Sequence, residues 1–321
     1  MSFDKKKFKK IKGDASFRSF FRNENKKKKS LIVYADKEKE KNLLIYDSIN
    51  KLLIKNKILA PKLYSENYKN NYIEIEDFGD ETLYKILKNN KINKIQLFKK
   101  IISLLKKIQK IKQNKTKNFK NKLYKIPVYN KKILFNEARL FCEWYVPRVV
   151  SKKKIIFLNK KLKTKIKFLL SRIKLKNNIF VHRDFHVSNL MKYKKNFAVI
   201  DNQDALIGNK AYDLASLIDD VRLKTSNELK NLIYKYYLSV NKNNINKKSF
   251  KNDFEILSVL RNLKIIGIFM RLAIRDKKRK YLNYIPYAWK LIELRLSKNI
   301  LFKDLKFFLD INFPNKIRIK K

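Results

Sequence analysis

Four glycines, five prolines, two histidines and one cysteine serve 321 residues, and each scarcity excludes something. A lone cysteine, Cys142, can form neither an internal disulfide nor a cysteine-rich zinc site. It reads as a buried apolar residue in a reducing compartment. With so few glycines the chain contains neither a GxxxxGK[ST] phosphate loop nor a GxGxxG dinucleotide fingerprint. No apolar run approaches the roughly 20 residues that cross a bilayer. The basic N-terminus, MSFDKKKFKKIKGD, lacks the apolar stretch and cleavage site of a signal peptide. A soluble, cytoplasmic protein without a membrane span is expected.

Negative charge is also scarce: 28 Asp+Glu face 80 Lys+Arg, for a formal charge of +52. Such a balance invites a polyanion partner. The lysines, however, occur in most segments, mixed with Asn, Ile, Phe and Tyr, and no arginine-rich arm, zinc-finger spacing or RNA-recognition aromatic pattern occurs. The pattern argues first for a basic solvated face of compositional origin, then for help in attracting phosphate-bearing substrates, and last for nucleic-acid or membrane binding.

What is present is a chain that is 45% hydrophobic, long enough for two lobes. Residues 17–22 and 30–35 read as short strands. Residues 37–56 carry an apolar helix period, and 71–78 a strand that enters the acidic turn EDFGD. Helical patterns follow at 82–87, 92–112, 135–146 and 155–173, with a lysine-rich solvated connection around 110–122. A strand pair is expected at 179–182 and 197–200, and further helices at 211–222, 229–238, 254–273 and 287–296. The fold class is α+β, with residues 1–79 forming a mixed N-terminal nucleotide-binding lobe and residues 80–321 a mostly helical catalytic and acceptor-binding lobe.

Most of the chemistry-bearing side chains concentrate in FVHRDFHVSNLMKYKKNFAVIDNQDA, residues 180–205. Asp184 and Asn189 have the spacing with which a phosphotransferase pairs a hydroxyl-orienting carboxylate with a metal-ligand amide. Asp201, at the end of the apolar FAVI run, supplies the metal carboxylate. This assembly predicts a catalytic Asp184 and Mg²⁺ held by Asn189 and Asp201. Oxygen ligands favour that hard cation over zinc. His182 is expected to support the loop by hydrogen bonding. His186 could contact the acceptor or simply belong to the loop, and Asp204 could reach acceptor hydroxyls or brace the loop. Asp213 opens a helix and can accept backbone N–H groups. At the N-terminus, Gly13, Asp14, Ala15 and Ser16 form a small-residue turn able to bring N–H groups to phosphate oxygens. Glu76 and Phe78, in IEIEDFGD, can contribute backbone and apolar contacts to an adenine. Three cations could approach the phosphates: Arg18, Lys37 and Lys39.

With HRDFHVSNL and VIDNQDA, the chain resembles the aminoglycoside phosphotransferase and choline kinase superfamily, whose fold is protein-kinase-like and two-lobed. Through GDASFRSFFR, IEIEDFGDETLY, FNEARLFCEWYV and RNLKIIGIFMRLAIRDKKRKYL it is most similar to bacterial kinases that phosphorylate N-acetylmuramate and N-acetylglucosamine at the anomeric carbon. The resemblance covers about residues 11–300. It implies ATP as donor, an amino sugar as acceptor, Asp184 as base and Asn189 with Asp201 on Mg²⁺. It also offers Glu137 for acceptor recognition, against the reading of Glu137 as an exposed or ion-paired helix carboxylate. The chain departs from the family pattern at Asn202, where an aromatic is usual, and at Asn209-Lys210, where Gly-Pro is common. Other acceptors within the superfamily are choline or an aminoglycoside, and a different class is a nucleotide-binding regulator without catalysis.

Overall fold

A computed structural model describes residues 8–11, 18–23, 29–35, 41–89, 92–297 and 299–319. Gly13, Asp14, Ala15 and Ser16, like Lys37 and Lys39, lie outside these residues. The fold is two-lobed and protein-kinase-like, with a mixed sheet-bearing N-lobe and a mostly helical C-lobe. Two compact units divide the chain: residues 1–127 with 179–207, and residues 128–178 with 208–321.

The first unit is built on an antiparallel sheet of β1 (Lys9–Ile11), β2 (Ser19–Asn23), β3 (Ser30–Tyr34), β4 (Leu63–Asn67) and β5 (Tyr72–Glu76), in the order β1-β2-β3-β5-β4. Helix α1 (Lys41–Lys55) packs against this sheet. Its Leu43 and Tyr46 join Val33, Ala35, Ile73 and Ile75 in one buried cluster. The helix stops where Lys57 takes a left-handed φ of 58° and Ile58 N returns to Leu53 O at 3.0 Å. Two helices follow, α2 (Leu83–Lys88) and α3 (Lys94–Ile108). Thr82 Oγ1 caps the first by accepting from Lys85 N, and Asn93 Oδ1 caps the second by accepting from Gln96 N.

The lysine-rich stretch expected as a plain connection instead forms a ribbon, β6 (Lys115–Lys117) with β7 (Leu123–Lys125). Alternation explains it: Lys115 and Lys117 are exposed, while Thr116 Oγ1 donates to Ser48 O at 3.2 Å. After a return through β8 (Asn177–Val181), β9 (Leu190–Tyr193) and β10 (Asn196–Val199) pair antiparallel. Strand β11 (Leu206–Asn209) then leads into the second unit.

That second unit holds α4 (Lys131–Ala138), α5 (Val146–Val149), α6 (Lys152–Ser171), α7 (Tyr212–Ile218), α8 (Asn227–Ser239), α9 (Lys247–Ile274), α10 (Ile285–Leu296), α11 (Lys303–Asn312) and α12 (Asn315–Arg318). The 28-residue α9 is its axis, buried around most of its circumference, as expected of a core helix. The helix expected over 135–146 is present, but its pitch changes within the segment. A π-turn, Phe141–Tyr145, separates α4 from α5. Its wide turn places Phe141 and Tyr145 with ring centroids 5.0 Å apart, and Trp289 stands edge-on to Phe141 at 5.6 Å. Opposite this change of pitch sits Gly267 of α9, where an added Cβ would lie 2.3 Å from Leu140 C and 2.5 Å from its O. The glycine inside a helical pattern is thus there for backbone contact. No described helix is long and apolar enough to cross a membrane.

Candidate active site

All of the segment that concentrates the chemistry, from Phe180 to Ala205, lies in the first unit. The apolar end of β8, Phe180 and Val181, is fully buried, His182 after it is still buried, and the chain turns toward the surface at Arg183. Arg183 then adopts φ 77°, a region that a long side chain rarely takes, and this turn throws half-buried Asp184 out of the strand direction. Backbone bonds close the loop behind it: His186 N donates to Asp184 O at 3.0 Å and Asn189 N to His186 O at 2.9 Å. Asn189 Nδ2 also donates to Asp184 O at 3.0 Å, which leaves the amide oxygen as the atom turned away from the loop backbone. The five-residue spacing therefore does bring Asn189 back beside Asp184. His182 Nε2 lies 3.1 Å from Ile200 O and so links the loop to the end of β10, whereas His186 is buried in the loop itself.

Asp201 follows β10 in a left-handed conformation, φ 63°, which aspartate accepts more readily than most residues. Ile200 N donates to Asn189 O at 3.0 Å, and this bond keeps Asp201 and the Asp184 loop in one assembly. The Asp201 side chain is 44% exposed, yet its Oδ1 is held from two sides. Arg18 Nη2 donates to it at 2.8 Å, and Gln203 Nε2 at 3.1 Å. Gln203 in turn accepts from Arg18 Nη1 at 2.7 Å and donates to Asp204 Oδ2 at 2.8 Å. Asp204 is half-exposed and also meets Arg183 Nη1 at 3.4 Å.

Helix α1 braces this network with residues that sequence reading did not single out. The guanidinium of Arg18 lies 5.3 Å from the Tyr46 ring and 5.9 Å from that of Phe20. Burial pushes the Tyr46 hydroxyl up to about 12, opposed by the positive charge of Arg18. One turn on, Asn50 Oδ1 accepts from Asn202 Nδ2 at 2.9 Å, so asparagine stands where an aromatic is usual and ties the loop to the helix. The signal was legible: two polar side chains, four residues apart, on the apolar face of an amphipathic helix.

At the acidic turn, Arg22 of β2 binds Asp77 and Asp80 together, at 2.5 and 2.8 Å. Gly79, φ 82°, donates its N–H to Asp77 Oδ1 at 2.7 Å. Phe78 packs with Met191 and Ala198, 4.8 Å from the Tyr193 ring, and Glu76 ends β5 with its N–H on Lys62 O at 2.8 Å.

In the second unit, Glu137 of α4 is buried and accepts from Tyr129 Oη, while Lys264 Nζ of α9 lies 3.0 Å away. Tyr129 reaches Tyr212 Oη at 2.9 Å. This ion pair is the arrangement weighed against acceptor recognition for Glu137. Asp213 is fully buried in the first turn of α7.

For a cation, the test is the donor set. Among the described residues no cluster of three or more His, Cys, Asp or Glu side chains could hold a metal ion. Asn189 and Asp201 instead offer an amide oxygen and one carboxylate. That sparse oxygen set fits Mg²⁺, which keeps waters and shares its sphere with substrate phosphates, and does not fit zinc.

Residues 7–241 match the model of the phosphotransferase enzyme family. Curated relatives include the N-acetylmuramate/N-acetylglucosamine kinases of Pseudomonas putida, 27% identical over 85% of this chain and 78% of that protein, and of Neisseria meningitidis, 27% identical over 85% and 80%. Among solved structures, the ethanolamine kinase of Plasmodium vivax matches with a TM-score of 0.59 at 17% identity, covering 92% of this chain and 83% of that one. The choline kinase of Cryptosporidium parvum matches with a TM-score of 0.59 at 14% identity, covering 99% and 95%.

Proposed function

Because the chain belongs to the phosphotransferase enzyme family, we propose that it transfers the γ-phosphoryl group of ATP to the anomeric hydroxyl of N-acetylmuramate, N-acetylglucosamine or both. The observation that carries the reading is the coupling of Asp184, Asn189 and Asp201 through Asp184 O and Asn189 O into one loop assembly. Asp184 takes the proton of the sugar hydroxyl as its oxygen bonds to the γ-phosphorus. The bond from that phosphorus to the β–γ bridging oxygen breaks, and ADP leaves. Asn189 and Asp201 hold Mg²⁺, which offsets charge on the phosphates when bound.

In the N-lobe, placed at residues 1–79, the nucleotide is assigned to Gly13, Asp14, Ala15, Ser16, Arg18, Glu76 and Phe78. The acceptor is assigned to Glu137, His186 and Asp204 within the catalytic lobe, 80–321. His182 and Asp213 support the loop. We infer a cytoplasmic protein, a compartment in keeping with ATP as donor.

The test is an acceptor panel with ATP and Mg²⁺, containing both amino sugars, choline and an aminoglycoside, with the phosphorylated position located by phosphorus NMR. A sugar 1-phosphate is expected. Phosphate on choline or on a non-anomeric hydroxyl overturns the acceptor assignment. ATP binding without transfer to any acceptor overturns catalysis.

A further inference from the structure

We propose that Arg18 is the cation that holds the triphosphate against the metal carboxylate Asp201. In protein kinases this task falls to a strand lysine braced by a helix glutamate. The assignment rests on the ATP-dependent reading above and selects one residue within it.

Strand β3, SLIVY, has no cation, and α1, KNLLIYDSINKLLIK, has no glutamate. The carboxylate α1 does carry, Asp47, is buried 3.0 Å from Lys51 of the same helix. A lysine–glutamate brace therefore cannot form between these two elements. What α1 presents instead is Tyr46 and Asn50, one turn apart, and both are spent on the same network. Tyr46 carries the guanidinium of Arg18 on its ring, and Asn50 fixes the loop residue that follows Asp201.

The Arg18 side chain is 3% exposed and its partner Asp201 is 44% exposed, so the pair is closed on the arginine side and open on the carboxylate side. An approaching phosphate meets the fork from the side on which the cation is expected. A guanidinium presents its donors in one plane, which lets it bridge two acceptors at once. Nη2 can stay on Asp201 while Nη1 exchanges the Gln203 amide oxygen for a phosphate oxygen, an exchange of a neutral acceptor for a charged one. Burial against two aromatic rings keeps the fork oriented without a helix carboxylate.

The experiment compares ATP with adenosine binding by calorimetry in EDTA, so that the readout needs neither metal nor turnover. In Arg18→Met the preference for ATP over adenosine should fall about tenfold or more, with adenosine affinity retained. Arg18→Lys should recover part of it. Arg18→Gln, which keeps a donor for Asp201 but no charge, gives the same reading should the methionine variant fail to fold. A wild-type ATP-to-adenosine ratio in these uncharged variants overturns the proposal. Loss of the ratio in Lys37→Met or Lys39→Met with the ratio intact in Arg18→Met also overturns it and moves the phosphate contact to that lysine. The acceptor panel is read separately on wild-type protein. Transfer to choline sinks the sugar assignment and leaves Arg18 standing, while an unchanged ratio sinks Arg18 and leaves the sugar chemistry standing.

Discussion

Asp201 and Asp219 both meet an arginine, and the two sites are built in opposite ways. Asp201 is half-open, sits in a left-handed conformation, and shares a single oxygen between Arg18 and Gln203. Asp219, after α7, has no exposed surface, and both of its oxygens are taken. Arg295 donates to Oδ1 and Oδ2 at 2.8 and 2.9 Å, Ser258 Oγ donates to Oδ2 at 2.5 Å, and Lys230 Nζ lies 3.5 Å from Oδ1. A carboxylate proposed to take a cation must keep coordination capacity and a path to solvent. One meant to hold α7, α8, α9 and α10 together must keep neither. Removing the charge should therefore break function at one site and stability at the other.

The largest effect belongs to the open loop. Asp184→Asn should lower turnover between about 10³- and 10⁴-fold, because the proposed proton acceptor is lost while the shape of the loop is kept. Asp201→Asn should lower turnover about 10³-fold, with a smaller loss of thermal midpoint than at Asp219, since it leaves one buried cation, Arg18, beside a half-open site rather than two around a closed one. Near-normal turnover in either variant ends the comparison. Asp219→Asn should do the reverse: a cost of about 3–5 kcal/mol in urea unfolding, because Arg295 and Lys230 are left as buried cations without their counter-charge.

The same site has a pH signature. Burial opposes ionisation of Asp219, but Arg295 and Lys230, helped by hydrogen bonds from Arg295 and Ser258, hold its carboxyl below the usual carboxylate range. A group whose folded pKa is depressed stabilises fully above its unfolded value, about 3.9, and loses that contribution as pH falls through its lower folded value. Stability of the wild type should thus drop with acid below about pH 5, and Asp219→Asn should show a shallower slope there. Equal slopes mean that Asp219 does not remain charged in the folded protein.

How much of this could be read in the sequence follows from range. Asp184, Asn189 and Asp201 stand close along the chain, and short-range spacing fixes the loop that joins them. Strands β2, β3 and β5 of the sheet and most helices were legible for the same reason, since alternation and helix period are local, whereas β1 and β4 were not read. Arg18 reaches Asp201 from far up the chain, and Lys264 reaches Glu137 across α4 and α9, so no local pattern marks either pair as partners. The π-turn was hidden too. FNEARLFCEWYV has a continuous helical pattern, and what accompanies its change of pitch at Phe141 is the close approach of Gly267 on α9.

Two glycines extend the comparison to smaller effects. Gly267 has a helical backbone but no space: a methyl group there meets the backbone of Leu140 and Phe141 at 2.3 to 2.6 Å, and backbone cannot swing aside as a flexible side chain does. Gly267→Ala should cost about 1–3 kcal/mol, seen as a lowered thermal midpoint with kcat preserved in the remaining folded protein. Gly79 is the converse. Nothing lies within 4 Å of an added Cβ, but φ is 82° and the turn is held by its N–H on Asp77. There the cost is conformational, so Gly79→Ala should lose about 1 kcal/mol, and Gly79→Asn, a residue that visits the left-handed region more readily, should lose less. If alanine and asparagine cost the same at 79, the turn does not hold its left-handed geometry in solution, and the fixed Arg22–Asp77–Asp80 contact goes with it.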